Sequence, residues 1–250
     1  MPCVIIERSQ TTGVVTLSRP PVNAINEQVI ADLSETFLNL EHDPTIHSAV
    51  LTGAGKFFSF GLDVPEMYDH SPVQFRNFLQ SFCALCRQLF LFPKPLVAAV
   101  NGHSVAGGCV LLLPCDIRIA ADIPMKIGLT EITLGASLFA STVEMLRYWL
   151  TNQQAERLLL AGSIFDAREA LHIGLFDQLV EPGGLQTAAI QKAAELATHY
   201  GSGYEALRRH IRQPLADRWM TREDVSINEF VKIWYSPETR RRTREIKIRS

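Results

Sequence analysis

The chain has 250 residues, with 24 lysines and arginines against 26 aspartates and glutamates and a formal net charge of -2. That length allows one sizeable core, and the near-neutral balance sets up no field for nucleic acid or an anionic membrane surface, so neither partner is expected. The longest apolar runs, such as 96–100 and 110–113, fall far short of the ~20 residues of a membrane-spanning helix, so a soluble protein is expected.

Val4 to Glu7 and Val14 to Leu17 read as two strands around a turn at Thr11-Thr12-Gly13, so a hairpin opens the fold. The first ten residues lack a basic start, a long apolar stretch and a small-residue cleavage site, so they do not read as a secretory signal. Asn26 is placed to cap a helix reaching about Leu40, with Ile30, Leu33, Phe37, Leu38 and Leu40 on its apolar stripe. A buried strand is expected at 49–52, a second helix at 74–92 stopped by Pro93 and Pro95, and a continuous apolar strand at 96–100. A short buried helix should begin at Gly107, with short strands at 118–120 and near Lys126-Ile127.

Beyond Thr142 the pattern is almost wholly helical, which makes an α/β core followed by helices. Pro182-Gly183-Gly184 is the best boundary, separating a core over 1–184 from a helical region over 185–250, and Ser236-Pro237 sets off a basic tail. That tail, Arg240-Arg241-Arg242-Thr243-Arg244 with Lys247 and Arg249, reads first as a solvated run or subunit contact and second as an anion contact.

Several chemistries are excluded by what the motifs lack. Gly53-Ala54-Gly55 has Phe58 where a dinucleotide fingerprint needs its third glycine, and no Walker-type lysine follows a phosphate loop. Cys83 and Cys86 have metal or redox spacing but sit within an amphipathic helical pattern with no second close pair, so they read as packing residues and no metal is expected. Five scattered cysteines in a chain of this size fit reduced thiols in a cytosol-like compartment; the mitochondrial matrix is the alternative if a presequence has been removed.

Two glycine-marked turns carry the positive signal. Ser59-Phe60-Gly61-Leu62-Asp63 and Asn101-Gly102-His103-Ser104-Val105-Ala106-Gly107-Gly108 can each aim a backbone N–H at a developing oxyanion, and one well-placed carboxylate, Glu131, follows them. Gly102-His103-Ser104-Val105-Ala106 also has the outline of a nucleophile elbow, for which Asp177 and His199 could complete a triad, although its last residue is alanine.

With Arg19-Pro20-Pro21-Val22-Asn23-Ala24, Cys115-Asp116 and Gly128-Leu129-Thr130-Glu131, these segments make the chain resemble the crotonase (enoyl-CoA hydratase/isomerase) superfamily over nearly its whole length. The resemblance implies an α/β spiral of strand–strand–helix turns, with C-terminal helices that pack into a homotrimer or a dimer of trimers. It implies an acyl-CoA thioester substrate, with coenzyme A as part of that substrate and no separate cofactor. By the same resemblance the thioester carbonyl would lie between the N–H groups of Leu62 and Gly107. Ser59, Phe60, Gly61, Leu62, Asp63, Gly107 and Thr130 would line the acyl-CoA site.

Hydratases of this superfamily carry a glutamate at the position of Val110 and another at that of Glu131, and divide water activation and proton delivery between them. Val110 can do neither. A single base suffices to move a proton from C2 to C4, so the chain is most similar to the mitochondrial-type 3,2-trans-enoyl-CoA isomerases, with Glu131 catalytic and its pKa raised by an apolar pocket. Phe60 stands where a small residue is usual in the family. A hydratase or other enolate-forming enzyme, a Ser104 hydrolase and a non-catalytic CoA-binding scaffold are the alternatives.

Overall fold

The structure is a computed structural model that describes residues 3–244 and 246, so Lys247 and Arg249 of the basic tail lie outside the described residues. Strands β1 (Val4–Ser9) and β2 (Thr12–Leu17) form the expected antiparallel hairpin. Its turn is centred on Gln10-Thr11 rather than on Thr11 to Gly13: Gln10 takes φ 53, and Gly13 is already paired with Arg8 inside the ladder. Asn26 caps α1 (Glu27–His42) by accepting from Val29 N at 3.1 Å, and the helix buries Ile30, Leu33, Phe37 and Leu40, while Leu38, one position round from Phe37, is turned to solvent.

From there the chain winds as a spiral. Strands β3 (Ser48–Gly53) and β4 (Phe57–Ser59) are followed by helices α2 (Val64–Tyr68) and α3 (Pro72–Leu91), then β5 (Leu96–Val100), β6 (His103–Val105) and α4 (Gly107–Val110). The next turn is β7 (Ile117–Ala121) with β8 (Ile127–Gly128). The first strand of each pair enters a six-stranded sheet ordered β1-β2-β3-β5-β7-β9, with β9 at Gln178–Val180, and this sheet is parallel beyond the opening hairpin. The second strand enters a small parallel sheet ordered β4-β6-β8. The corner between them is pinned by Asn101, whose Oδ1 accepts from Gly53 N while its Nδ2 donates to Gly55 O, both at 3.0 Å.

Helix α3 starts two residues before its expected position because Ser71 and Gln74 form a reciprocal capping box, and Pro72 is tolerated in a first turn whose N–H groups have no helical acceptor. One face buries Phe75, Phe78, Leu79, Phe82, Leu85, Leu89 and Phe90. Each such side chain contributes about 1.5–3 kcal/mol on leaving water, which is why this helix anchors the core.

Beyond β8, a 3₁₀ turn (Glu131–Leu134) leads to α5 (Ala140–Trp149), α6 (Asn152–Ala161) and α7 (Ala167–His172). Short β9 (Gln178–Val180), lost to sequence reading among helical patterns, pairs with β7 at the sheet edge. Helix α8 (Leu185–Leu196) lies across β3, β5 and β7, and α9 (Ser202–Trp234) packs along α3 and α5. Arg208 and Arg212 of α9 both donate to Asp116 Oδ1, whose other oxygen accepts from Leu96 N at 2.8 Å, so one carboxylate ties the C-terminal helix to the sheet. Pro237–Thr243 form α10, a packed helix where a solvated basic run was the first expectation. Among the described residues no helix is long and apolar enough to cross a membrane.

Candidate active site

The small sheet holds the two glycine turns against each other. Gly61 ends the first with φ +93, a conformation that favours glycine, and a Cβ there would lie 2.9 Å from Val105 O and 3.0 Å from Gly107 N. Ile25 brackets the first turn: its N–H donates to Gly61 O at 2.8 Å, and its carbonyl accepts from Asp63 N at 2.9 Å. Alternation along that extended stretch turns the intervening Leu62 N–H the other way. A Cβ on Gly107 would lie 3.4 Å from Leu62 N, so the two turns meet backbone to backbone at these residues. Neither the Leu62 N–H nor the Gly107 N–H donates to an acceptor among the described residues.

The second turn is strained where it matters. Ala106, a non-glycine residue, takes φ 51 and ψ -128 immediately before Gly107 and is held there by donating to Gly128 O at 2.8 Å. Such conformations cost on the order of 1–3 kcal/mol and persist where the surroundings over-determine them. Helix α4 is a single turn, so anion stabilisation here falls to the local N–H groups rather than to an extended dipole. Its approach to β4 requires Gly108, because a Cβ there would come within 2.1 Å of Ser59 O.

Gly128 leads through Thr130 into the 3₁₀ turn that begins with Glu131. The turn closes on itself, with Ala136 N donating to Glu131 O at 3.0 Å and Gly135 N to Ile132 O at 2.9 Å. Glu131 Oε2 is shut off from solvent and has no hydrogen-bond partner among the described residues. Burial pushes the carboxyl up to about 7, against a smaller downward pull from its own N–H and that of Thr130.

These groups share a cavity of about 420 Å³ lined by Phe60, Leu62, Ala106, Gly107, Thr130 and Glu131, with an apolar wall that includes Met67, Phe75, Phe230 and Trp234. Among its described lining residues Glu131 is the one carboxylate, and Lys126 the one cation. Val110 lies in the core at 1% exposure, so its position adds no acid to the cavity.

Five of the predicted site residues, Phe60, Leu62, Gly107, Thr130 and Glu131, thus line one space, while Ser59, Gly61 and Asp63 lie outside that lining. Ser59 is buried beneath the turn, donating to Asn23 O at 2.8 Å and accepting from Gly61 N at 3.2 Å. The Asp63 carboxylate caps α2 by accepting from Glu66 N and pairs with Arg19 at 2.7 Å. Both shape the turn. Ser104 sits fully buried on β6, while the exposed apex of an elbow would fall at Ala106, and Asp177 is engaged with Arg118. That placement removes the basis of a hydrolase.

Sequence reasoning missed Lys126 and the far wall, since Phe230 and Trp234 lie about a hundred residues further on in a stretch that reads only as helical. It placed Asn23 within a motif but gave it no role; Asn23 Nδ2 donates to the carbonyls of Ala54, Phe57 and Phe58 and clamps β4 in place.

The family model "Enoyl-CoA hydratase/isomerase" matches residues 7–242. A mitochondrial enoyl-CoA delta isomerase 1 from Homo sapiens is 31% identical over 232 residues, covering 91% of this chain and 77% of that protein. A short-chain-enoyl-CoA hydratase from Clostridium acetobutylicum is 33% identical over 198 residues, covering 78% of this chain and 76% of its own length. The crystal structure of human mitochondrial delta3-delta2-enoyl-CoA isomerase superposes with a TM-score of 0.89 at 29% identity, over 97% of this chain and 95% of that one. On its sequence match and its fold, the chain belongs to the enoyl-CoA hydratase/isomerase family.

Proposed function

We propose that this chain isomerises 3-enoyl-CoA to 2-trans-enoyl-CoA by a single-base proton shuttle, the step that fatty-acid β-oxidation needs for misplaced double bonds. The observation that carries the proposal is that Glu131 is, among the described residues, the one carboxylate lining the cavity that Leu62 and Gly107 also line, and neither N–H of that pair has an acceptor among the described residues. Glu131 removes a proton from C2. The resulting charge spreads into the thioester oxygen, which accepts hydrogen bonds from the two N–H groups. The same carboxyl then returns the proton at C4, leaving the double bond conjugated with the carbonyl. A carboxyl raised to about 7 suits both halves, because it is a competent base and a competent acid near neutrality.

Hydration is the second reading, supported by hydratase relatives as similar in identity as the isomerase. It requires water activation at one carbon and protonation at the next, and buried Val110 supplies no second carboxylate for the division of labour. Coenzyme A enters as part of the substrate, with no separate cofactor, and a homotrimer or dimer of trimers is the assembly we propose. The compartment we propose is the cytoplasm, or the mitochondrial matrix for a chain from which a presequence has been cut.

The deciding assay supplies purified protein with 3-enoyl-CoA of short and long chain length and follows the conjugated thioester, then supplies 2-trans-enoyl-CoA and follows hydration. Isomerisation well above hydration is expected. Hydration without isomerisation would sink the proposal, and turnover of neither substrate would leave a CoA-binding scaffold.

A further inference from the structure

The arginine run near the C-terminus is built into the two walls of the cavity. Helix α10 begins at Ser236, whose Oγ accepts from Thr239 N, and buries Thr239 and Thr243 at 1% exposure each. Thr239 Oγ1 donates to Gly135 O at 3.0 Å, and Arg242 donates to Thr133 O at 3.2 Å. Both acceptors belong to the turn that carries Glu131. Gly135 is its closing residue, in the left-handed conformation with φ 76, and its carbonyl is held from outside the turn by Thr239.

One residue further on, the same helix grips the opposite wall. The Arg240 guanidinium lies over the Tyr68 ring, 3.4 Å from its centroid, and donates to Tyr68 O at 2.8 Å. Tyr235, the residue after α9, contributes a second ring 5.4 Å from the same guanidinium and donates to His70 O at 2.6 Å. Tyr68 ends α2, whose N-cap is Asp63, the residue after Leu62. Stacking combined with a charge-assisted hydrogen bond makes Arg240 a stiffer link than an exposed ion pair would be.

We infer that α10 is a clasp that sets the position of the Glu131 carboxyl relative to the Leu62 and Gly107 N–H groups, with Thr239 and Arg240 as positioning residues for the reaction. The inference rests on the isomerase reading of the same cavity. Neither residue lines that cavity, so loosening the clasp leaves the groups that hold acyl-CoA in place while the base drifts from the donors. Misplacement of a catalytic group by about 1 Å can lower turnover by roughly 10²-fold.

The test compares Thr239→Val, which keeps shape and loses the hydroxyl, Thr239→Ser, which keeps it, and Arg240→Met, which keeps the stem and loses the guanidinium. Thr239→Val and Arg240→Met should each lower kcat by about tenfold or more with KM within about twofold, and Thr239→Ser should restore kcat. The double variant should lose less than the product of the two single losses, because both act on one geometry. Amide exchange supplies a readout independent of turnover: Thr239→Val should speed exchange at Gly135 and Ala136 by about tenfold while β5 exchanges as before.

Unchanged kcat together with unchanged exchange at Gly135 and Ala136 would overturn the clasp, as would a loss confined to KM. If the unmodified protein turns over no 3-enoyl-CoA, the isomerase reading fails by itself, and the exchange result still decides whether α10 holds the turn.

Discussion

A methyl group on Gly61 would sit 3.0 Å from the backbone nitrogen of Gly107, although the two residues are 46 positions apart in the chain. The two glycine turns are therefore one structure, and the space an alanine would fill adjoins the space a thioester oxygen must reach.

Gly61→Ala combines an unfavourable left-handed alanine with contacts to Val105 O and Gly107 N. Destabilisation of about 1–3 kcal/mol is expected. Activity should suffer more than stability, with kcat lower by roughly 10³-fold, about 4 kcal/mol, the upper end for loss of an oxyanion donor. Denaturant unfolding beside steady-state kinetics checks this; equal losses in the two would contradict it. An amide-to-ester replacement at Leu62, which removes the N–H and weakens the Gly61 carbonyl as the acceptor of Ile25 N–H, should lower kcat to a similar extent with KM little changed.

Glu131→Gln removes the base while keeping the shape, and should lower kcat by about 10²–10⁴-fold. In the unmodified protein, kcat/KM should rise about tenfold per pH unit below the carboxyl's value of about 7 and level off above it. A flat profile between pH 5 and 8 would remove Glu131 from the role of base.

The same carboxyl makes stability depend on pH. Its folded-state pKa lies above the ordinary value, so the native state holds this proton more tightly than the unfolded chain does. Its favourable contribution is complete below about 4.5 and is lost as pH rises to about 7, with nothing further lost above. Because a glutamine amide never ionises, Glu131→Gln should be the more stable protein at pH 8, by at most about 3 kcal/mol on the shift from 4.5 to about 7. The advantage should shrink toward pH 5. Urea midpoints at the two pH values measure it, and a variant less stable at pH 8 would show that Glu131 makes favourable native contacts when ionised.

Asp116→Asn should be far more damaging than its single charge suggests. Two buried guanidiniums, those of Arg208 and Arg212, share Asp116 Oδ1. Removing the shared partner of a buried charge typically costs about 3–5 kcal/mol. Arg212→Met, which leaves Arg208 paired, should cost less. Unfolding midpoints for the two variants give the comparison.

Ser104→Ala should leave isomerisation unchanged and stability neutral or improved by up to about 1 kcal/mol, since the buried hydroxyl has no partner among the described residues. Loss of turnover in this variant would revive a nucleophilic serine.

Much of the site was legible because its parts are local. Gly61, Gly107 and Glu131 announce themselves through glycine at turns and an acid after an apolar strand, and such signals survive in a linear reading. The roles of Ser59 and Asp63 were less legible, because whether a polar side chain faces a ligand or caps its own turn depends on atoms outside the motif. In Ser59 that atom is Asn23 O, and for Asp63 it is the Arg19 guanidinium. Strands β4, β6 and β9 span only three residues each, too short for periodicity to register.

The family resemblance supplied the spiral winding and the meaning of Val110; by itself the sequence determined the alternation of strands and helices, the two glycine turns and the glutamate that follows them. Those depend on residue type and short spacing, where backbone sterics and side-chain chemistry act within a few positions. Only the tertiary structure decided that the turns abut, that burial raises Glu131, that Phe230 and Trp234 close the cavity, and that α10 joins its two walls. Those depend on desolvation and contact between segments far apart in the chain, which exist only once packing has excluded the water between them.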